Sequence, residues 1–122
     1  MDINLAHFNT ELGRQKPENI IHTDTACPFC ATDDLTDIIA TDGDIILLKN
    51  KYNVIEEADQ FVLIEGRDCD SDMPCYTRDH MHRLIAFGME HWAQMRASGK
   101  YDTVLFFKNY GPYSGGTIRH PH

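Results

Sequence analysis

The chain has 122 residues, enough for one domain, and its 11 Lys and Arg against 19 Asp and Glu give a net charge of −8. This balance argues against a nucleic-acid partner, because proteins that bind phosphate backbones carry basic patches. No apolar run approaches the roughly 18 residues of a membrane span, and the first residues lack the basic-then-apolar order of a signal peptide. We therefore predict a cytoplasmic protein with no membrane partner, in which four cysteines serve metal binding or chemistry rather than disulfides.

The apolar pattern predicts an irregular arm over residues 1–24, followed by five strands and one long helix. Asp42-Gly43 lies between two apolar runs, an arrangement typical of a β-hairpin because glycine accepts a positive φ. The run near residue 105 is mostly apolar, which favours a central strand. The predicted strands cover residues 35–41, 44–49, 61–65, 103–108 and 117–122.

Helical spacing of apolar residues predicts a helix from about Arg78 to Ser98. Thr77 is placed to cap its first turn, and Gly99 follows its last turn, where glycine is favoured. Strands in hairpin order with one long helix predict an α+β domain, in which a mainly antiparallel sheet carries the helix on one face.

Cys27 and Cys30 form a Cys-x-x-Cys pair, which brings two thiolates onto one tetrahedral ion with little strain. The same spacing also occurs in redox pairs, but those normally open a helix in a thioredoxin-like order, whereas a β-rich region follows here. A third interpretation is that the cysteines are simply buried apolar residues. Zinc would need two further ligands, which the pair alone does not identify.

The end of the chain carries three linked motifs: Phe107-x-Asn109-x-Gly111, then Gly115-x-Thr117, then His120-Pro121-His122. Together they resemble the active-site segment of the galactose-1-phosphate uridylyltransferases, members of the histidine-triad (HIT-like) superfamily, with Thr117 where serine is usual. The resemblance implies a half-barrel sheet with one long helix packed on it. It also implies that residues 1–122 are a single HIT-like domain, the N-terminal portion of a longer bacterial relative that ends at the His-Pro-His motif.

The resemblance also implies a structural zinc site. Its ligands in the family are a Cys-x-x-Cys pair, a histidine after a later strand and the first histidine of His-Pro-His. Three of these positions match Cys27, Cys30 and His120. The triplet Asp68-Cys69-Asp70 stands where the family has a histidine between acidic residues, so we predict Cys69 as the fourth ligand. The competing positions are Cys75, His80 and His82.

By the same resemblance, His122 is the nucleophile of a nucleotidyltransferase. Its imidazole would attack a nucleoside diphosphate sugar, hold the nucleoside monophosphate covalently and pass it to a sugar phosphate. The attacking nitrogen must be unprotonated, so the other ring nitrogen should donate to an acceptor, for which we predict the backbone carbonyl of His120. Water or phosphate as the final acceptor would instead make a hydrolase or phosphorylase. A non-catalytic, zinc-stabilised nucleotide-binding module is the third possibility.

Substrate contacts are predicted at two asparagines and at the glycine-rich bend. Glycines let the backbone approach a phosphate, and a threonine adds a hydroxyl and an N–H donor. Asn50 and Asn109 match family positions that contact nucleotide, although turn chemistry at a strand end explains Asn50 equally well. A homodimer is also expected, since an open sheet edge would remain. The predicted contacts are Asn50, Asn109, Gly115, Gly116 and Thr117.

Overall fold

The computed structural model describes residues 5–122, and it is an α+β fold with one three-stranded antiparallel sheet and one main helix. The strands follow one another in the sheet in the order β1-β2-β3. Short 3₁₀ turns occupy Thr32–Asp34 and Met73–Cys75. The helices and strands are α1 (Thr10–Arg14), β1 (Ile38–Asp42), β2 (Ile45–Lys49), β3 (Phe61–Ile64) and α2 (Arg78–Ala97).

The predicted hairpin is confirmed, with its turn one residue further along the chain. β1 pairs with β2 from Asp42 opposite Ile45, so that Gly43 and Asp44 form the turn. Only the glycine takes a positive φ there, at 59°. The positive φ favours glycine here; a Cβ on Gly43 would also lie 2.9 Å from Nη2 of Arg83, a flexible side-chain end that can move away.

β2 is the central strand, and its side chains alternate between two apolar clusters. Ile45 and Leu47 pack with Leu84 and Phe87 of α2 on one face of the sheet. The other face is covered by a cluster of Ile46, Leu48 and Ile64, against which Phe29 and Leu35 of the segment before β1 pack. This segment, residues 25–37, carries the Cys-x-x-Cys pair and is thereby held against the sheet.

The predicted caps of α2 are confirmed. The Thr77 hydroxyl accepts a hydrogen bond from the backbone N–H of His80 at 3.2 Å. Ser98 is the last capping residue, and Gly99 follows it with φ at 73°. The predicted irregular arm contains one short helix, α1, capped by the side chain of Asn9. The part of the prediction that concerns residues 1–4 lies outside the described residues.

The two predicted strands after the helix are not formed. Within residues 103–108, the backbone carbonyl of Val104 accepts a hydrogen bond from a side chain, Nε1 of Trp92 at 2.9 Å, and not from a neighbouring strand. Phe106 packs directly on the helix backbone, where a Cβ on Gly88 would lie 2.4 Å from its ring. Leu105 and Phe107 are 78% and 72% exposed, so this run is not a central strand.

Residues 117–122 also make single hydrogen bonds rather than a ladder. The Thr117 carbonyl accepts from the backbone N–H of Asn19 at 2.9 Å, and the Pro121 carbonyl accepts from that of Glu65 at 3.1 Å. Pro121 has no N–H to return. The described part of the chain contains no helix that is long and apolar enough to cross a membrane.

Candidate metal centre and histidine pair

Four side chains from three separate segments converge beside the end of β3. They are the two cysteines of the segment before β1, one cysteine of the loop after β3 and one histidine of His-Pro-His. Their sulfur and nitrogen atoms all lie within 4.8 Å of one another, close enough to hold a metal ion. The four residues are Cys27, Cys30, Cys69 and His120. Cys69, which the resemblance implied as the fourth ligand, therefore belongs to the cluster, and Cys75, His80 and His82 do not.

His120 presents the nitrogen that a metal needs. Its side chain is fully buried, and Nε2 lies 2.7 Å from the Gly66 carbonyl. Since a carbonyl oxygen only accepts, Nε2 carries the proton and Nδ1 keeps its lone pair. Nδ1 faces the sulfurs of Cys27 and Cys30 at 3.6 and 3.4 Å. A tetrahedral zinc with Zn–S near ~2.3 Å and Zn–N near ~2.05 Å would separate these atoms by roughly 3.6 Å.

When no cation lies between the sulfur atoms, the thiols of Cys30 and Cys69 resist ionisation. Burial raises the pKa of Cys69 to about 12, and hydrogen bonds and charge repulsion from Cys27 and Cys30 contribute to that rise. The pKa of Cys30 is raised as well, first by burial and then by Cys27. A divalent cation reverses this balance, because a coordinated thiol is deprotonated. The donor set therefore fits a cation that prefers sulfur and imidazole.

As predicted, the backbone carbonyl of His120 orients the ring of His122. Its Nδ1 lies 2.7 Å from that oxygen and must donate to it, which leaves Nε2 unprotonated in the neutral ring. Burial lowers the pKa of His122, the hydrogen bond to the His120 carbonyl opposes this, and the charge of Lys108 lowers it further. The half-buried ring is thus a neutral imidazole with one free lone pair.

Phe29, within the Cys-x-x-Cys pair, packs against both histidines. Its ring lies edge-on to His122 at 5.2 Å and to His120 at 6.2 Å between ring centroids. This contact joins the segment before β1 to the histidine pair. This contact could not be predicted, since a phenylalanine between two cysteines has no distinctive pattern.

The predicted substrate contacts are not joined to His122 by any hydrogen bond within residues 5–122. Asn50 uses its side-chain oxygen to accept from the backbone N–H of Tyr52 at 2.9 Å, which is strand-end turn chemistry. Asn109 is exposed. Gly115 has φ at 89°, in the left-handed region that favours glycine, and a Cβ built on it would meet no atom within 4 Å.

Thr117 and the bend are anchored by Asn19, which sequence reasoning missed. Asn19 is buried, donates its backbone N–H to the Thr117 carbonyl and accepts from the backbone N–H of Arg119 at 2.5 Å. These bonds fix the chain between the bend and His120. A Cβ added to Gly116 would lie 3.9 Å from Cδ1 of Ile20, the residue after Asn19.

Comparisons with known proteins place this chain among relatives of one family. Residues 8–122 match the family model described as the domain of unknown function DUF4931, N-terminal domain. The fold is similar to a crystal structure of a DUF4931 family protein from Bacillus cereus ATCC 10987, with a TM-score of 0.68 and 41% sequence identity. The match covers 70% of this chain and 39% of that one. No curated protein sequence matches significantly.

Proposed function

The chain belongs to the DUF4931 family, as its N-terminal domain, and from the geometry of the site we propose that it is a nucleotidyltransferase resembling the hexose-1-phosphate uridylyltransferases. The observation that carries the proposal is the pair of oppositely used histidines. His120 turns Nδ1 toward three cysteines, whereas His122 donates Nδ1 to the His120 carbonyl and keeps the lone pair of Nε2. One histidine is thus suited to a metal and the other to nucleophilic attack.

The proposed reaction proceeds in two displacements at one phosphorus atom. Nε2 of His122 attacks the α-phosphorus of a nucleoside diphosphate sugar, forming a P–N bond while the P–O bond to the β-phosphate breaks. The electron pair leaves with the sugar phosphate. An oxygen of a second sugar phosphate then attacks the same phosphorus and releases His122 as a neutral imidazole. The lowered pKa of His122 supports this role, because only the neutral ring attacks.

The glycine-rich bend is proposed to face the phosphates. Gly115 and Gly116 expose backbone N–H groups, and Thr117 and Asn109 add side-chain donors, as the resemblance implies. Asn50 is proposed at the ribose; its side-chain NH₂ is available, since only its oxygen is engaged by Tyr52.

We propose zinc for the four-residue cluster, because three thiolates and one imidazole form a sound tetrahedral zinc set. Bound zinc would neutralise the thiolates and fix the backbone at His120, two residues before His122, which is a structural role. Metal analysis of Cys69→Ala tests the ligand set, with Cys75→Ala as the control, since Cys75 lies outside the cluster. Zinc lost only in Cys69→Ala supports the assignment, and full zinc in both variants removes Cys69 from it.

A HIT-like half-barrel, a cytoplasmic location and a homodimer complete the proposal. Leu105 and Phe107 are exposed apolar side chains that a second copy would cover. Light scattering should give a dimer mass for the native protein, and Leu105→Lys should lower it. A monomer mass that does not change with concentration contradicts the dimer.

The experiment that tests the function is mass spectrometry of native, zinc-replete protein mixed with UDP-glucose, UDP-galactose or ADP-glucose at neutral pH. The proposal predicts a nucleoside monophosphate adduct that is acid-labile, as phosphoramidates are, and that a sugar phosphate discharges. Discharge only by water or inorganic phosphate would indicate a hydrolase or phosphorylase. No covalent mass shift with any of these nucleotides would overturn the transferase and leave a binding module.

A further inference from the structure

Glu65 is a buried carboxylate that the proposed reaction does not use. It follows β3 directly and is 3% exposed. Its Oε1 accepts from the Tyr76 hydroxyl at 3.0 Å, and its Oε2 pairs with the ammonium of Lys108. Lys108 also lies 3.2 Å from the carboxylate of Asp72. Both oxygens of Glu65 are thus held by donors from separate segments of the chain.

The backbone around Glu65 holds the histidine pair. The N–H of Glu65 donates to the Pro121 carbonyl at 3.1 Å, between the two histidines. The carbonyl of the next residue, Gly66, accepts the proton of His120 Nε2 at 2.7 Å. The Glu65 carbonyl accepts from Nε2 of His80 at 2.7 Å, which ties the same residue to α2.

We infer that Glu65 is a positioning residue: its carboxylate, clamped by Tyr76 and Lys108, holds in place the two peptide groups that orient His120 and Pro121. A buried ionised carboxylate without its partners would be costly, so the clamp fixes the side chain and, through it, the end of β3. His122 takes its orientation from the His120 carbonyl, so the clamp sets the direction of both rings. The part that concerns catalysis rests on the proposed function; the part that concerns ring orientation does not.

The chain supplies a matched control for this clamp. Asp59 accepts from the Tyr101 hydroxyl and pairs with Lys100, the same kinds of donor, but it precedes β3 and contacts neither histidine nor cysteine. Asp59→Asn therefore removes a comparable carboxylate charge at the other end of the strand. Glu65→Gln removes the charge at the histidine end while keeping the side chain's size.

The first measurement is the tautomer of each histidine in the native protein, from long-range ¹H–¹⁵N spectra. Wild-type protein should show His120 protonated at Nε2 and His122 protonated at Nδ1. In Glu65→Gln the signal of His122 should shift toward a mixture of tautomers, and that of His22, which is exposed and lies 3.7 Å from the carboxylate of Glu18, should not change. The rate of zinc release to a chelator should rise roughly 10–100-fold, the range typical when a partner of a metal ligand is lost. Asp59→Asn should change neither readout.

Two further variants separate positioning from plain stabilisation. Tyr76→Phe deletes one hydrogen bond to Glu65 and should shift both readouts in the same direction by a smaller factor, which also serves if Glu65→Gln does not fold. Glu65→Gln/Lys108→Met removes both charges, so it should recover thermal stability but keep the mixed tautomer of His122. A structural role alone predicts that tautomer and stability recover together, and that result would overturn the inference.

The outcomes also distinguish this inference from the proposed function. Mixed tautomers in Glu65→Gln, with no nucleotidyl adduct in any variant, would support positioning and reject the transferase. If the transferase holds, adduct formation in Glu65→Gln should slow by roughly 10–100-fold. Wild-type tautomers and wild-type zinc release in folded Glu65→Gln would overturn the positioning role.

Discussion

The two ends of β3 carry the same side-chain chemistry in different surroundings. Asp59, before the strand, accepts from the Tyr101 hydroxyl at 2.5 Å and lies 3.2 Å from the Lys100 ammonium. Glu65, after the strand, accepts from Tyr76 and pairs with Lys108. The side chain of Asp59 is 27% exposed and that of Glu65 is 4% exposed.

The difference in burial decides what each carboxylate can do. Water screens the charges near Asp59, so its pairs contribute little and can rearrange. Water does not reach Glu65, so a misplaced carboxylate there leaves charges without partners, and the geometry is fixed. The same pair of donors is therefore a surface contact at one end of the strand and a clamp at the other, beside the histidines.

Removal of the metal should lower the stability of the protein more than any single substitution. It should also affect the two ends of β3 most differently. Structural zinc contributes about 10–16 kcal/mol of apparent binding free energy in small zinc-folded peptides, so its loss should outweigh any single side-chain change. Hydrogen exchange after chelation should show lost protection at residues 66–69 and 119–122, with the β1–β2 ladder largely retained. Equal loss of protection at both ends of β3 would contradict the separation.

Glu65→Gln should have the next largest effect. Removing one partner of a buried pair leaves the Lys108 charge incompletely compensated, which costs roughly 3–5 kcal/mol in buried pairs generally. We expect a loss near ~3 kcal/mol, because Asp72 remains beside the ammonium. Denaturant unfolding should show this loss of stability in Glu65→Gln, and the loss in Asp59→Asn should be much smaller. Equal losses in the two variants would remove the contrast.

Gly88→Ala should disturb the segment that carries Lys108. The new Cβ would lie 2.4 Å from the ring of Phe106, so the ring must move, at a cost of about 1–3 kcal/mol for an overpacked site. Gly13→Ala in α1 is the control, since its Cβ would meet Val54 at an ordinary 3.8 Å. Unfolding curves should show a loss only for Gly88→Ala; a stabilised Gly88→Ala would mean that Phe106 relaxes freely.

The smallest expected effect is the pH dependence at Asp59. Hydrogen bonds from Tyr101 and Lys100 hold the pKa of Asp59 below its usual 3.8. A depressed pKa in the folded state contributes stability that is complete above the unfolded value and is lost as pH falls through the folded one. The stability difference between wild type and Asp59→Asn should therefore be present at pH 6 and shrink below about pH 3.8. A difference that grows on acidification would contradict the assignment.

The elements that could be predicted from the sequence are those with local signals. The hairpin followed from Asp42-Gly43 between apolar runs, and the ends of α2 followed from Thr77 and Gly99. Cys27, Cys30 and His120 followed from spacing and resemblance. Cys69 followed from the resemblance, because Asp68-Cys69-Asp70 stands where the family has a histidine between acidic residues. The structure brings the four side chains into a cluster that could hold a metal ion.

The parts that could not be predicted depend on contacts between distant segments. An apolar run such as residues 103–108 indicates an extended chain. Nothing in the run reveals that the Val104 carbonyl accepts its hydrogen bond from the Trp92 side chain and not from a neighbouring strand. The clamp joins Glu65 to Lys108 across 43 positions, and Asn19 reaches Arg119 across 100. Single polar residues at the ends of apolar runs carry no signal that identifies such partners.

We propose that two histidines two residues apart have different roles, His120 in binding the metal and His122 in attacking phosphorus. Native mass spectrometry with UDP-glucose, UDP-galactose and ADP-glucose can compare zinc content and nucleotidyl adduct in wild type, His120→Ala and His122→Ala. We expect that His122→Ala keeps its zinc and forms no adduct, whereas His120→Ala loses zinc first. Zinc lost equally from both variants, or an adduct that persists in His122→Ala, would contradict this division of roles.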